Sequence, residues 1–246
     1  MKIYIGIDDT DNLESRGTGY RSRQLAAELN VSGFGKVVGI TRHQLFFNSA
    51  IPYTSHNSSA CLEVIAGVRE KLIEISRQHM ITFGEPGSDV GLCVADETQV
   101  NETVMKWGQR AKVEVLTMEE AYQLAKSTGI YLEGLTGLHT GIIGSMAGVG
   151  LRVTGTDGRL IWLPGKDFRE IKGVLSKKEL LDQSLAKNIL NLANMKPVDD
   201  FALIDTGEWM RPVMHENQAV ILVESENVEK NTWKVPEKAK IKMLSD

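Results

Sequence analysis

The sequence predicts an α+β protein, and three observations carry that reading. A short apolar strand at the N-terminus, residues 2 to 7 (Lys-Ile-Tyr-Ile-Gly-Ile), runs directly into a loop crowded with acids and glycine. Between about residues 36 and 116, β-branched runs and amphipathic stretches follow in the order strand, strand, helix, strand, helix, strand. After Pro197 the texture changes to short strand-like runs with turns between them. Such an order gives an antiparallel sheet with helices on one face, as in ferredoxin-like layers, followed by a small C-terminal β unit.

Each element has a local cause. β-branched and aromatic residues make residues 2 to 7 a buried strand, and the acids, Asn, Ser and Gly of residues 8 to 19 make a loop. A helix is expected from Tyr20 to about Leu29, with Leu25, Ala26 and Leu29 on one face. Strands are expected at Val37 to Phe47 and Ala60 to Ala66, joined by a polar loop carrying Pro52, His56 and Asn57. Arg69 to His79 reads as an amphipathic helix, Val90 to Val94 as a strand, Thr98 to Ala111 as a helix and Val113 to Leu116 as a strand. Thr117 caps a helix running from Met118 to Ser127, with Glu119 and Glu120 in its first turn. Gly134 to Gly150 reads as a glycine-rich loop entering a buried helix. Leu160 to Leu163 is expected as a strand, Lys178 to Leu192 as an amphipathic helix, and Ala202 to Asp205 and Ala219 to Val223 as strands. Lys234 to Lys242 alternates lysine with apolar residues and reads as a solvated face.

The bulk numbers narrow the function classes. A chain of 246 residues builds one large domain or two modest ones. With 28 basic and 32 acidic residues the net charge is −4, so overall charge does not draw the chain to nucleic acid. Cys61 and Cys93 lie in apolar runs without a CxxC partner, which fits a reducing, cytoplasmic setting and no zinc site. No apolar run approaches the ~18 residues that span a bilayer, so no membrane is expected.

The chemistry concentrates at residues 6 to 11. Asp8, Asp9 and Asp11, with Thr10 among them, crowd the carboxyl end of the first strand. Carboxylates this close repel one another, and a magnesium ion relieves that cost while accepting phosphate oxygens. Gly17, Thr18 and Gly19 present backbone N–H groups to phosphate where Tyr20 opens the next helix, and Arg16, Arg21 and Arg23 add positive charge. An Asp-rich turn capping its own backbone is the plainer explanation of such a cluster. The apolar strand before it and the glycine-flanked Thr18 favour the metal-phosphate loop. Rival motifs fail in detail. Gly165-Lys166 is followed by Asp167 and lacks the first P-loop glycine, and Gly17-Thr18-Gly19 lacks the third glycine of a dinucleotide fingerprint. An Asp-x-Asp phosphohydrolase through Asp9 and Asp11 expects a hydroxyl where Leu13 stands.

These residues resemble the archaeal tRNA-Ile agmatidine synthetase family (TiaS), whose members open with a hydrophobic strand, Gly-Ile-Asp-Asp-Thr-Asp and a nearby Cys-Thr-Thr-Tyr. Here the same places hold Gly6-Ile7-Asp8-Asp9-Thr10-Asp11 and Gly17-Thr18-Gly19-Tyr20. Residues 48 to 53 (Asn-Ser-Ala-Ile-Pro-Tyr) resemble its Asn-Pro-Asn-Ile-Pro-Trp segment, and residues 85 to 88 (Glu-Pro-Gly-Ser) its Asn-Pro-Gly stretch before a strand. Residues 141 to 150 resemble its Gly-Leu-Ile-Gly-Ala-Leu-Ala-Ala-Ile-Gly.

The resemblance implies an ATP-binding, kinase-like region with a mixed sheet, combined with a ferredoxin-like domain. Residues 1–35 with 113–195 would form the first, 36–112 the second, and 196–246 the small β unit. It implies phosphorylation of a cytidine-like or small-molecule oxygen with ATP and Mg2+, followed by amine ligation. Asp8, Asp9, Asp11 and Thr18 would be catalytic, the three aspartates also holding the metal. Gly6, Thr10, Gly17, Gly19, Gly141 and Gly144 would bind the nucleotide, although packing explains Gly144 and Gly148 equally well. Arg42 and His43, near the loop of residues 48 to 53, are substrate candidates for facing the acidic loop, as are Pro52, Tyr53 and Asn57; a self-capping turn competes for His56 and Asn57. His139 and Thr140 precede a helix N-terminus suited to an anion.

Family enzymes extend into an OB-fold and a zinc ribbon that grip tRNA. Two cysteines cannot build that ribbon, and residues 54 to 57 (Thr-Ser-His-Asn) are not basic as the family's are. The expectation is a stand-alone relative of the catalytic half, with a nucleotide as partner and tRNA as a weaker one. The alternative is a non-catalytic nucleotide- or RNA-binding module that retains the fold.

Overall fold

A computed structural model describes every residue except Ser55, Val228 and Asp246, so Ser55 of the polar segment lies outside the described residues. The chain divides into two compact units, residues 1–154 and 155–246. Among the described residues no helix is long and apolar enough to cross a membrane.

The first unit contains β1 (Lys2–Asp8), α1 (Thr18–Ser32), β2 (Gly35–Gln44), β3 (Ser58–Ala66), α2 (Arg69–Phe83), β4 (Gly91–Asp96), α3 (Glu102–Arg110), α4 (Met118–Thr128), β5 (Tyr131–Gly134) and α5 (Ile142–Thr154). Its strands lie in the order β5-β4-β1-β3-β2, every neighbouring pair antiparallel. Residues alternate between the faces of a strand, so Ile3, Ile5 and Ile7 face one side of β1 and Tyr4, Gly6 and Asp8 the other. Helices α1 and α2 pack on the sheet, and Tyr4, Cys61, Cys93 and Ala95 pack with Trp107 of α3, Ala121 of α4 and Ile142, Met146 and Val149 of α5. Helices on both faces explain why β1 is apolar almost throughout.

Three sequence expectations change here. Residues 36–112 do not stand apart from residues 1–35, because β1 is the central strand between β3 and β4. Val113 to Leu116 is a turn: the amides of Val113 and Glu114 both donate to the Arg110 carbonyl, at 2.9 and 2.8 Å. Val113 and Val115 are exposed, and β5 takes the place beside β4. Helix α3 begins later than Thr98, because the Asp96 carboxylate holds the Thr98 and Gln99 amides in a turn and Asn101 caps Thr103 and Val104. The Thr117 cap of α4 is present as expected, as a reciprocal box with Glu120.

The second unit contains β6 (Arg159–Trp162), β7 (Val174–Ser176), α6 (Lys177–Ser184), β8 (Asn188–Asn191), β9 (Lys196–Pro197), β10 (Leu203–Asp205), β11 (Val213–His215), β12 (Gln218–Asn227), β13 (Thr232–Lys234) and α7 (Lys238–Ser245). Here the sheet is mixed: β12 runs antiparallel to β11 and β13 and parallel to β8, and β10 runs parallel to β13. Its core gathers Leu180, Ile189, Ile204, Ile221 and Ile241. The single helix expected from Lys178 to Leu192 is broken at Leu185, in the left-handed region (φ 56°), so that residues 188–191 join β12 as a strand. The β unit therefore begins near Gly155, not residue 196, and the lysine-rich end forms α7 with Ile241 buried rather than a wholly solvated face.

Candidate active site

Asp8 ends β1 on the face covered by α5. Its carboxylate fits under the helix only because residue 144 has no side chain: a Cβ there would stand 1.7 Å from Asp8 Oδ2. A Cβ on Gly6 would come within 1.9 Å of the Ser145 carbonyl oxygen. One on Gly141 would come within 2.4 Å of the Asp89 carbonyl oxygen. Gly6, Gly141 and Gly144, expected to bind nucleotide, are thus accounted for by the close approach of α5 to the ends of β1 and β4.

After Asp8 the chain turns sharply. Asp9 adopts φ 51°, a region costly for most residues with a side chain and tolerated, after Gly, best by Asp and Asn. Its carboxylate accepts the Asp89 amide. The Asp89 carboxylate in turn accepts the Leu138 amide at 2.5 Å and the Thr140 hydroxyl at 3.1 Å, tying down the loop that enters α5. Thr140 therefore serves Asp89 and does not wait for an external anion. Asp89 is a site residue that the sequence reading missed; it directly follows the Glu85-Pro86-Gly87-Ser88 block, one position beyond the residues singled out.

On the other side, Thr18 is the first residue of α1, with Gly17 extended before it as cap (ψ 169°). The buried Thr10 hydroxyl donates to Thr18 Oγ1 at 3.2 Å, and the Thr18 hydroxyl donates to Asp11 Oδ1 at 2.9 Å. A nucleophile-type hydroxyl donating to a carboxylate at this distance is the geometry of an activated acceptor. Gly19 lies in the first turn of α1, its carbonyl accepting the Ser22 hydroxyl at 2.9 Å.

Electrostatics set this loop apart. Burial, then the charge of Asp9, pushes the Asp8 carboxyl up to about 8. Burial, then the charges of Asp89 and Asp11, pushes Asp9 up to about 6. Among the described residues no three His, Cys, Asp or Glu side chains gather into a cage for a metal ion. The expected set of Asp8, Asp9 and Asp11 is opened out, because Asp9 leans on the Asp89 amide and Asp11 on Thr18. The donor chemistry still suits magnesium held by one or two carboxylates with phosphate oxygens, since that ion rarely takes an all-protein cage. Both shifts are upward, so the folded protein holds these protons more tightly than the unfolded chain. Their contribution favours folding below pH ~4 and is lost as pH rises toward ~8. Thermal unfolding without divalent cations should show a midpoint falling across that window, with a shallower fall in Asp8→Asn. Equal slopes in the two proteins would contradict this.

The remaining candidates are not gathered at the acids. His43 pairs across strands with Ser59, is wholly buried, and bonds Thr41 Oγ1 at 2.8 Å, out of reach of a phosphate arriving from solvent. Arg42 is one position along, on the opposite face; it donates to Gln44 at 3.3 Å, and its charge favours ionised Asp8. The Asn57 side chain donates to the Phe46 carbonyl at 2.7 Å and its own carbonyl accepts the Leu45 amide at 2.8 Å, so Asn57 ties the two ends of the loop together rather than capping its own turn. Pro52 and Tyr53 are exposed, with Tyr53 edge-on to Phe47 at 5.5 Å. That loop reaches the acids through Thr54, whose hydroxyl donates to the Asp11 carbonyl at 3.3 Å.

No protein-family model matches the chain. Over 156 residues it is 28% identical to the isoleucine-tRNA 2-agmatinylcytidine synthetase TiaS of Pyrococcus horikoshii, covering 61% of this chain and 36% of that protein. Among solved structures, a tRNA fluorescent labeling enzyme matches with a TM-score of 0.54 at 25% identity, covering 61% of this chain and 36% of that one. Apo TiaS matches with a TM-score of 0.53 at 19% identity, covering 80% and 48%. The chain is thus similar to TiaS in sequence and in fold, and it spans a little over a third of the length of the curated relative.

Proposed function

We propose that this chain is an ATP- and magnesium-dependent enzyme of the TiaS type, which activates an oxygen of a cytidine-like substrate by phosphorylation and then joins an amine. The observation that carries this reading is the Thr18 hydroxyl donating to Asp11 at 2.9 Å, beside two acids that burial and mutual repulsion keep hard to ionise. Solved TiaS complexes carry an isoleucine tRNA with ATP, or with AMPCPP and agmatine, which supports ATP, tRNA and an amine as the reactants here. The element order β1-α1-β2-β3-α2-β4, with strand order β4-β1-β3-β2, supports a ferredoxin-like core in the first unit, with α3 to α5 forming the kinase-like side.

In this reading the magnesium, when bound, neutralises transferring phosphate oxygens, and charge stabilisation supplies most of the rate. Asp8 and Asp9 would hold it. Asp11 orients the Thr18 hydroxyl and accepts its proton, and Thr10 fixes the rotamer of Thr18. The α1 N-terminus offers backbone N–H groups to phosphate.

Thr18 is accordingly expected to carry phosphate transiently. Intact-mass analysis after incubation with ATP and magnesium should show one added phosphate in the wild type and none in Thr18→Ala. An unmodified wild type at every time sampled, together with no ADP, AMP or phosphate released in the presence of RNA and agmatine, would overturn the enzymatic reading.

A further inference from the structure

We propose that Asp89 is a positioning residue, which aims the Asp9 carboxylate by anchoring it to the loop that enters α5; this rests on the reading of Asp9 as part of a magnesium-triphosphate site. Asp89 stands just before β4, and each of its polar groups has a separate partner. Its amide donates to the Asp9 carboxylate. Its carbonyl accepts the Gly141 amide at 3.0 Å. One carboxylate oxygen accepts the Leu138 amide at 2.5 Å and the other the Thr140 hydroxyl at 3.1 Å. The first contact reaches the loop after β1 and the other three reach the loop before α5, so one residue joins the two loops.

These contacts make Asp89 a support and not a third ligand. Both of its carboxylate oxygens are engaged by the α5 loop, and among the described residues no three acids are grouped to hold an ion. The peptide groups on either side of it are clamped as well. The Thr136 hydroxyl donates to the Ser88 carbonyl at 2.6 Å and accepts the Val90 amide at 2.9 Å. The fit around the carboxylate is close: a Cβ on Gly137 would stand 1.8 Å from Asp89 Oδ1. With its neighbours and its side chain tied, Asp89 presents a fixed amide to Asp9, whose own backbone lies in a turn at φ 51° outside any strand or helix. Partners that orient a metal-binding carboxylate typically change metal affinity by roughly 10- to 100-fold when removed.

The test is calorimetric titration of the full chain with a non-hydrolysable ATP analogue and magnesium. Asp89→Ala cuts both side-chain ties to the α5 loop and should weaken binding roughly tenfold. Asp89→Asn keeps the shape, accepts the Leu138 amide and can donate to Thr140, so it should stay within about twofold of wild type. In an Asp9→Asn background Asp89→Ala should cause no further loss, because the carboxylate it acts through is already gone, whereas a purely structural role would add its full cost there. If Asp89→Ala does not fold, Thr140→Val removes one tie, should weaken binding about threefold, and gives the same comparison in the two backgrounds. Without magnesium or nucleotide, the Leu138 amide should exchange hydrogen faster in Asp89→Ala than in wild type. Wild-type affinity or unchanged exchange in Asp89→Ala, an Asp89→Asn as weak as Asp89→Ala, or full additivity with Asp9→Asn overturns the positioning role and leaves the triphosphate site standing. Failure of the wild type to bind the analogue overturns both.

Discussion

Asp9→Asn is expected to lower magnesium-dependent ATP turnover by roughly 100-fold or more, the scale on which removal of a preorganised charge acts in catalysis. Asn has the same shape, still accepts the Asp89 amide, and tolerates the left-handed backbone at this position. The variant should therefore fold, and loss of one repelling charge beside Asp8 should hold or raise its thermal midpoint at neutral pH. Release of ADP or AMP, followed alongside thermal unfolding, separates the two effects. Turnover within about twofold of wild type would remove Asp9 from the chemistry. A non-catalytic binding module has no turnover to lose, so the wild-type measurement alone distinguishes the two classes.

The second large effect is structural. Gly6→Ala places a methyl group 1.9 Å from the Ser145 carbonyl oxygen and 2.9 Å from Val149, both on α5. Neither a strand centred in a sheet nor a helix packed on it can yield without disturbing the Asp8 pocket. Overpacking of this severity is expected to cost about 3 kcal/mol or more. Gly67→Ala, where nothing lies within 4 Å of the added group, serves as control and should shift stability by about 0.5 kcal/mol at most. Urea unfolding of the two variants provides the comparison. A Gly6→Ala midpoint equal to that of wild type would mean that β1 and α5 are less closely applied than described.

Elements with a clear period and their own stop signals were legible in the sequence. Strand β1, helix α2 and the Thr117-capped α4 all follow from residues within the element. The failures lie where tertiary structure outweighs local pattern. Residues 188–191 continue an amphipathic run in sequence, yet β12 offers a strand edge that they fill. Val113 to Leu116 has strand composition but pairs with no strand among the described residues, and the Val113 and Glu114 amides turn back onto the Arg110 carbonyl instead.

The candidate site shows the same division. The acids and Thr18 announce themselves by crowding, whereas Asp89 is remote in sequence and is brought to Asp9 only by the pairing of β4 with β1. Glycines are ambiguous for a related reason: a missing Cβ serves a ligand or a crossing helix equally, and the structure shows the crossing helix at Gly6 and Gly144. Arg42 and His43 were candidates by proximity in sequence, but alternation along β2 puts them on opposite faces, and the one on the face of Asp8 is sealed beneath the sheet's covering layer.

The most direct measurement is the affinity of the chain for a non-hydrolysable ATP analogue at neutral pH, with magnesium and with a chelator, in the wild type and in Asp8→Asn. Tight binding that needs the divalent ion and weakens at least tenfold in the variant is the expected result, since burial holds the Asp8 carboxyl toward its protonated form and a cation beside it favours the charged one. Binding of the same strength in chelator, or no change on replacing Asp8, would mean that these carboxylates serve only to shape the loop.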